Sequence, residues 1–469
     1  EKLLKKYFNF KYLDFIQRNQ SELIRNIIFE SSIFVTSIIQ SLVNLLVEVI
    51  LVIGISMLLI YYDPISAFIL ICIIIVLGTI YIFLFKTKLK LLGKERQEVI
   101  SNILKVLGEG FILQKEIRIL QKENYIMDIF SKESKKIVKI NILEQIINSF
   151  PKIWFEFVAV AGLSGIIFYF IMFDIKIYLL VPLLALYAAA IFRLLPSANR
   201  IIGAINNILH NMPAFNVLFE ELLNINKSQE KKNLKNQDFD NFNQFIFEKF
   251  EPRKLNLRNL SFSYDRDQNE VLENINLSFS RGEITGIIGK SGSGKSTIAN
   301  IISGLIENYS GTFEINDNTN FNLNILRRSV GYVPQITNLL DDSIKNNICF
   351  GLINKNENFE KLNYILKKVD LENFVNTLDD GLNTIVGDQG LTLSGGQRQK
   401  IALARTLYLD PKIIIFDEST NSLDKVSEKQ FFENITNLKR DKIIVCITHD
   451  LSLSKYFDKI YNLSEIKKI

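Results

Sequence analysis

The sequence predicts an α-helical transmembrane domain followed by an α/β domain organised around a buried parallel sheet. Three observations predict it. Long apolar runs crowd the chain up to Leu209, the composition turns abruptly polar after Glu220, and from Leu255 onward short apolar runs alternate with amphipathic segments. At 469 residues the chain is long enough for two or three hydrophobic cores. Hydrophobic residues make up 48% beside a charged fraction of 22%, and an uneven distribution reconciles the two. A net charge of +5 on 55 basic and 50 acidic side chains is too balanced to favour a nucleic-acid partner. Cys72, Cys349 and Cys446 lie far apart without metal-ligand spacing and read as buried apolar residues, and two histidines are too few for a multi-histidine metal site.

The membrane elements follow in chain order. The first ~25 residues carry Lys2, Lys5, Lys6, Lys11, Arg18 and Arg25 among aromatic and aliphatic side chains, as in a cytoplasmic amphipathic segment or an interfacial anchor. Ile33–Tyr62 is apolar except for Glu48, and Asp63-Pro64 is a natural turn into Ile65–Phe85. Those 21 uncharged residues, at ~1.5 Å each, suffice to cross a ~30 Å hydrocarbon core. Ile153–Phe173 is broken only by Glu156, and Ile177–Leu209 only by Arg193 and Arg200, so four spans are expected. Between Lys86 and Ile140 lie 13 basic and seven acidic residues, whereas the two short breaks between spans hold a single Lys and no Arg. The positive-inside rule then places the long basic loop in the cytoplasm.

Glu48, Glu156 and Arg193 fall near the middle of their spans. An ionisable group there costs several kcal/mol unless paired or wetted, so each is a candidate for lining a substrate cavity or for a structural ion pair such as Glu156 with Arg193. Arg200 and Lys152, nearer the inner interface, have the placement of snorkelling anchors. The polar stretch 224–254 has no apolar period and is expected to be a flexible connector between a membrane domain at 1–223 and a second domain at 255–469.

In that second domain Ile284–Ile288 and Ile413–Phe416 read as buried parallel strands. The first runs directly into Gly289-Lys290-Ser291-Gly292-Ser293-Gly294-Lys295-Ser296, the GxxxxGK[ST] pattern, before a helix expected near Thr297. The glycines let backbone N–H groups close around phosphate oxygens at a positive helix N-terminus; Lys295 would reach the β and γ phosphates and Ser296 would offer its hydroxyl to Mg²⁺. The second strand delivers Asp417 and Glu418, suited respectively to holding Mg²⁺ and activating water. By itself a strand ending in two acids is as often a solvated strand end. Leu393-Ser394-Gly395-Gly396-Gln397, followed by a helix expected over Arg398–Leu409, is a second glycine-rich loop able to receive an anion.

LSGGQ is the residue set by which the region Leu255–Ile469 is identified as resembling the nucleotide-binding domain of ABC transporters. The resemblance implies further roles. Tyr264 matches the aromatic that stacks on adenine, and Gln335 in Val333-Pro334-Gln335 the glutamine that contacts Mg²⁺ and couples to the membrane domain. Asp424 in Asn421-Ser422-Leu423-Asp424 matches the D-loop acid. His449 looks like the switch histidine that senses the γ phosphate. Thr297 follows the phosphate loop and joins the nucleotide-contacting set. Thr384–Gly390 resembles the x-loop of exporters, with Asp388 where a glutamate is more usual. Since LSGGQ in this family closes on ATP held by the other subunit, the resemblance implies a dimer of this chain or a pairing with a related half-transporter, with ATP and Mg²⁺ as cofactors.

Exporters of this type carry six spans per half, with two coupling helices. The segment Tyr7–Ile27 then resembles the first coupling helix and Leu107–Leu120 the second, so two further spans would precede Glu1. Arg18–Asn26, Glu116–Leu120 and Pro151–Ala161 look most like flippases of lipid-linked oligosaccharides in a bacterial inner membrane. Such a substrate carries a pyrophosphate, for which Arg193 and Arg200 are the basic candidates. Export of drugs, lipids or peptides uses the same scaffold, and a non-transporting ABC ATPase or a membrane receptor with an inactive ATPase are the rivals of other classes; the apolar spans and intact Lys295, Asp417, Glu418 and His449 oppose these.

Overall fold

A computed structural model of the chain describes residues 1–62, 64–172, 177–230, 250–264, 270–351, 358–420 and 425–466. The chain divides into two compact units, Glu1–Phe10 with Asp14–Gln237, and Lys11–Leu13 with Asp238–Ile469.

The first unit is all helical. Short helices Lys2–Phe8 and Tyr12–Ile16 precede a continuous helix Gln20–Tyr62, and three more long helices follow: Pro64–Ile112, Glu123–Met172 and Ile177–Glu230. Pro64 occupies the first position of its helix, where its missing N–H breaks no hydrogen bond. Three stretches among the described residues are long and apolar enough to cross a membrane: Gln20–Tyr62, Ile71–Ile112 and Ala188–Leu223. The expected span Ile153–Phe173 forms the end of the helix Glu123–Met172, and Phe173 itself, like the turn residues Asp63 and Asp174–Lys176, lies outside the described residues. The short helix Gln114–Leu120 falls within the segment expected to be the second coupling helix and ends at Gln121 in the left-handed conformation.

Helices in this unit touch through small residues and buried polar groups. A Cβ on Gly93 would lie 1.8 Å from the carbonyl oxygen of His210, so the second and fourth long helices approach backbone to side-chain-free backbone there. Asn206 Nδ2 donates to the Tyr81 hydroxyl at 3.0 Å and to Asn148 Oδ1 at 2.9 Å, joining three helices. The fully buried Glu30 lies between Arg25 at 3.7 Å and Arg96 at 3.5 Å, in a π-helical turn Asn26–Glu30.

Three expectations are corrected here. The connector does not begin at 224, because the last long helix continues to Glu230; extending an existing helix adds one hydrogen bond per residue without a new nucleation cost. Glu156 and Arg193 form no ion pair among the described residues; both are exposed, and the pair across the helices is instead Glu48 with Arg200. Cys72 is only half buried, unlike Cys349 and Cys446.

The second unit contains an antiparallel sheet of order β2-β1-β4, formed by β1 (Lys254–Phe262), β2 (Leu272–Ser280) and β4 (Ser310–Ile315). Beside it stands a parallel sheet of order β5-β6-β7-β3-β8, from β3 (Ile284–Ile288), β5 (Val330–Val333), β6 (Ile413–Asp417), β7 (Ile443–Thr448) and β8 (Lys459–Asn462). The uninterrupted apolar runs of β6 and β7 follow from burial on both faces. Ile413, Ile415, Ile443, Val445 and Ile447 pack into one core, and Ile414, Phe416, Ile444 and Cys446 into another. The parallel order places the carboxyl ends of β6, β7 and β3 side by side, with Asp417 opposite Ile447 and Ile288 opposite Thr448. Ligands of open parallel sheets bind at such an edge.

Candidate nucleotide-binding site

The phosphate loop leaves β3 and enters the helix Lys295–Ile302, which starts two residues before the expected Thr297. Gly292 and Gly294 have φ of 79° and 95°, a left-handed conformation that costs an L-residue ~1–2 kcal/mol. A Cβ on Gly294 would also come within 2.6 Å of Leu272 Cδ2 and 3.2 Å of the Val271 carbonyl oxygen. Gly289 and Gly294 are buried, whereas Lys290, Ser291, Gly292 and Ser296 are exposed, and Ser293 Oγ is buried without a partner. Lys295 is 6% exposed, and its ammonium donates to the carbonyl oxygens of Gly289 at 2.9 Å and Lys290 at 3.0 Å, folding the loop around it.

The end of β6 supplies the carboxylates. Asp417 is buried; its Oδ1 lies 3.4 Å from the Ser296 hydroxyl, and its Oδ2 accepts from the Tyr332 hydroxyl at 2.7 Å. Burial first, and then the adjacent Asp417 charge, raise the Tyr332 phenol, so it remains a protonated donor. Glu418 has φ of 49°, an unusual left-handed backbone for a glutamate, fixed by its N–H donating to the Ile447 carbonyl oxygen at 2.9 Å. Its carboxylate is the meeting point of the site. Gln335 Nε2 donates to it at 2.8 Å, His449 Nδ1 stands at 3.5 Å and Lys295 Nζ at 3.9 Å. Tyr264 is partly exposed, its ring edge-on to Phe262 at 4.9 Å and its hydroxyl 3.2 Å from Thr297 Oγ1.

Lys295, Ser296, Gln335, Asp417, Glu418 and His449 are thus brought together by four strand ends. The donor set suits a magnesium nucleotide: an exposed hydroxyl, an amide and a carboxylate for the metal, and an ammonium with glycine-lined N–H groups for phosphate. Asp424 lies outside the described residues. Ser394–Gln397 makes no hydrogen bond to the phosphate loop among the described residues. Gly395 and Gly396 begin the helix Gly395–Tyr408 rather than preceding it, with Ser394 as its N-cap; Ser394 Oγ accepts from Gln397 N–H at 3.2 Å while Gln397 Oε1 accepts from Ser394 N–H at 2.8 Å.

Sequence reasoning missed three side chains. Tyr332 is one residue before Val333-Pro334-Gln335, a position whose sequence gives no sign that it reaches Asp417. Asn347, fully buried, accepts from Leu340 N–H at 2.9 Å and from Arg405 at 3.0 Å, and Arg405 donates again to the Asn347 carbonyl at 2.7 Å. This hub ties the segment after Gln335 to the helix that Ser394 caps. In the membrane unit Arg200 meets Glu48 twice, Nε at 2.6 Å and a second nitrogen at 3.4 Å.

Residues 272–421 match the family model described as ABC transporter. The alpha-hemolysin translocation ATP-binding protein HlyB of Escherichia coli is 43% identical over 208 residues, 44% of this chain and 29% of that protein. The leukotoxin export ATP-binding protein LtxB of Aggregatibacter actinomycetemcomitans is 41% identical over 209 residues, 44% of this chain and 29% of that protein. A putative export ATP-binding/permease protein of Rickettsia typhi is 36% identical over 218 residues, 46% of this chain and 38% of that protein. The matched region therefore spans less than two fifths of these relatives' length. The fold resembles a solved bacterial Atm1-family ABC exporter with ATP bound, at a TM-score of 0.83 and 19% identity, covering 98% of this chain and 79% of that one. At that identity the likeness is one of fold alone.

Proposed function

We propose that this chain, whose carboxy-terminal half is an ABC transporter ATP-binding domain, uses ATP hydrolysis to drive export of a substrate across a membrane. The observation that carries the proposal is the convergence of Gln335 and His449 on Glu418, beside Lys295 and Asp417, in a chain whose other unit has membrane-length helices. The phosphates of ATP would lie along Gly289–Ser296, and Lys295 would exchange its carbonyl contacts for phosphate oxygens. Ser296, Gln335 and Asp417 would hold Mg²⁺, which would supply positive charge to the phosphate oxygens. Glu418 orients the attacking water and takes its proton, with His449 facing the γ phosphate and Tyr264 the adenine. Gln335 donates to Glu418 at 2.8 Å, so a Gln335 side chain turned toward Mg²⁺ would give up that hydrogen bond.

Ser394–Gln397 makes no hydrogen bond to its own chain's phosphate loop among the described residues, and the family resemblance supports a pairing in which it closes over ATP on a second copy of this chain or a related half-transporter. Asp424 belongs to the same closure. The basic stretch Lys86–Ile140 supports an integral protein of a bacterial inner membrane with its ATPase domain in the cytoplasm.

For the substrate, a lipid-linked oligosaccharide or related glycolipid fits best the sequence resemblance of the membrane half. Arg193, exposed on the last long helix, is a cation that a pyrophosphate could meet, whereas Arg200 pairs with Glu48. Glu156, also exposed, remains a candidate wall residue. The relatives named for alpha-hemolysin translocation and leukotoxin export favour a toxin cargo, but they match only 44% of this chain and 29% of their own length. The test is ATPase activity of the full-length native chain in liposomes, with Glu418→Gln as control. Loss of the general base should lower turnover by roughly 10²–10⁴-fold. Stimulation by a polyprenyl-pyrophosphate oligosaccharide supports the flippase; indifference to it, with a response to drugs or peptides, discards that substrate and keeps the exporter. Full activity in Glu418→Gln would remove the proposed base.

A further inference from the structure

We propose that Tyr332 is a positioning residue for the metal-binding carboxylate: its hydroxyl occupies one oxygen of Asp417 so that the other is presented, in a fixed orientation, beside Ser296. The proposal rests on the reading of Ser296 and Asp417 as magnesium ligands and adds a residue to that site.

β5 and β6 run parallel with Tyr332 opposite Ile415, two residues before Asp417. Because side chains alternate between faces along a strand, Tyr332, Ile415 and Asp417 share one face, and the tyrosine reaches along the sheet to the end of its neighbour. There its hydroxyl lies 2.7 Å from Asp417 Oδ2, while Oδ1 stands 3.4 Å from Ser296 Oγ. Asp417 is 6% exposed, so water has little access to either oxygen. Without the phenol, Oδ2 would lack its hydrogen-bond donor, and a buried acceptor left unpaired turns toward whatever donor it can find. The carboxylate would then rotate about its Cβ–Cγ bond, and Oδ1 would leave the direction of Ser296. A neutral donor suits this task. A lysine or arginine in the same place would compete with the cation for the carboxylate's charge, whereas the phenol fixes one oxygen and leaves the formal charge to the metal. Outer-shell partners of this kind commonly set metal affinity without touching the metal.

The test uses the full chain in detergent or nanodiscs and reads binding as well as turnover. Mn²⁺ binding to the ATP complex is followed by electron paramagnetic resonance, and ATP binding in EDTA is measured separately, for the wild type, Tyr332→Phe, Tyr332→Leu and Asp417→Asn. Tyr332→Phe should weaken Mn²⁺ by about 10–100-fold, the range for loss of an outer-shell ligand partner, and leave ATP affinity in EDTA unchanged. Unaltered Mn²⁺ affinity in Tyr332→Phe overturns the proposal. So does a loss in Tyr332→Leu alone, which would assign the effect to the ring's packing, or a parallel loss of metal-free ATP binding, which would make Tyr332 a purely structural residue. If Asp417→Asn retains wild-type Mn²⁺ affinity, the metal site itself is wrongly assigned, a failure distinguishable from that of Tyr332.

Discussion

Asn347→Ala removes a side chain that is fully buried and makes five hydrogen bonds to four residues. It accepts from Leu340 N–H at 2.9 Å and Arg405 at 3.0 Å, and donates to the carbonyl oxygens of Leu340 at 3.0 Å, Ser343 at 3.1 Å and Asp342 at 3.4 Å. The Ser343 carbonyl keeps its backbone partner, the N–H of residue 347, at 3.0 Å, so its loss is minor. The lasting damage falls on Leu340 N–H and on the Arg405 guanidinium. Arg405 sits over the Phe350 ring at 5.0 Å and, among the described residues, keeps the carbonyl acceptors of residues 347 and 338. Burial already holds its pKa below the ordinary arginine value. A neutral hydrogen bond left unmade costs ~1 kcal/mol and one to a charged group ~1.5–3, so the substitution should cost about 2–4 kcal/mol. For a domain of this size each kcal/mol lowers Tm by roughly 2–4 °C, which gives a fall of about 5–15 °C in the transition of the ATP-binding unit. Calorimetry of the full chain in nanodiscs reads it, the relevant transition being the one that added ATP moves upward. A Tm within about 2 °C of wild type, less than the change expected from 1 kcal/mol, would refute the view that this side chain holds the segment after Gln335 to the Ser394-capped helix.

Gly294→Ala meets both a left-handed φ and a Leu272 contact at 2.6 Å, so ATP affinity measured by fluorescence titration should fall by at least tenfold, the equivalent of about 1.4 kcal/mol. Glu48→Gln and Arg200→Gln, singly and together, should show a coupling on the order of 1 kcal/mol in thermal or detergent unfolding, and additive effects would mean that the pair is not formed. Asp458 is pushed up by burial but pulled down further by the Ile284 N–H and Lys439, with a net pKa below the usual carboxylate range. Its contribution is therefore present above the unfolded-state pKa of about 3.9 and is lost as pH falls through the lower folded value. Asp458→Asn should flatten that acid limb of the Tm–pH profile, and an unchanged limb would remove Asp458 as its origin.

Much of the site was legible in the sequence because each motif is a local device. A strand, a glycine-rich turn and a helix start at fixed spacing cradle phosphate by backbone geometry, so Gly289–Ser296 declares itself without knowledge of the rest of the fold. The apolar runs likewise declare membrane-length helices, because length and the absence of charge are sufficient conditions for crossing hydrocarbon. The strand order β5-β6-β7-β3-β8, which carries Asp417, Glu418 and His449 to one edge beside that loop, was decided by tertiary structure, since parallel neighbours are joined through long crossovers whose course no single segment encodes. The same holds for Arg200 choosing Glu48 over the pairing of Arg193 with Glu156. Which side chains meet between helices depends on rotation and depth, and these are fixed by contacts such as Gly93 against His210. Tyr332 and Asn347 were invisible for that reason: their partners lie 85 and 58 residues away, on elements brought beside them only when the sheet closes and the helix docks.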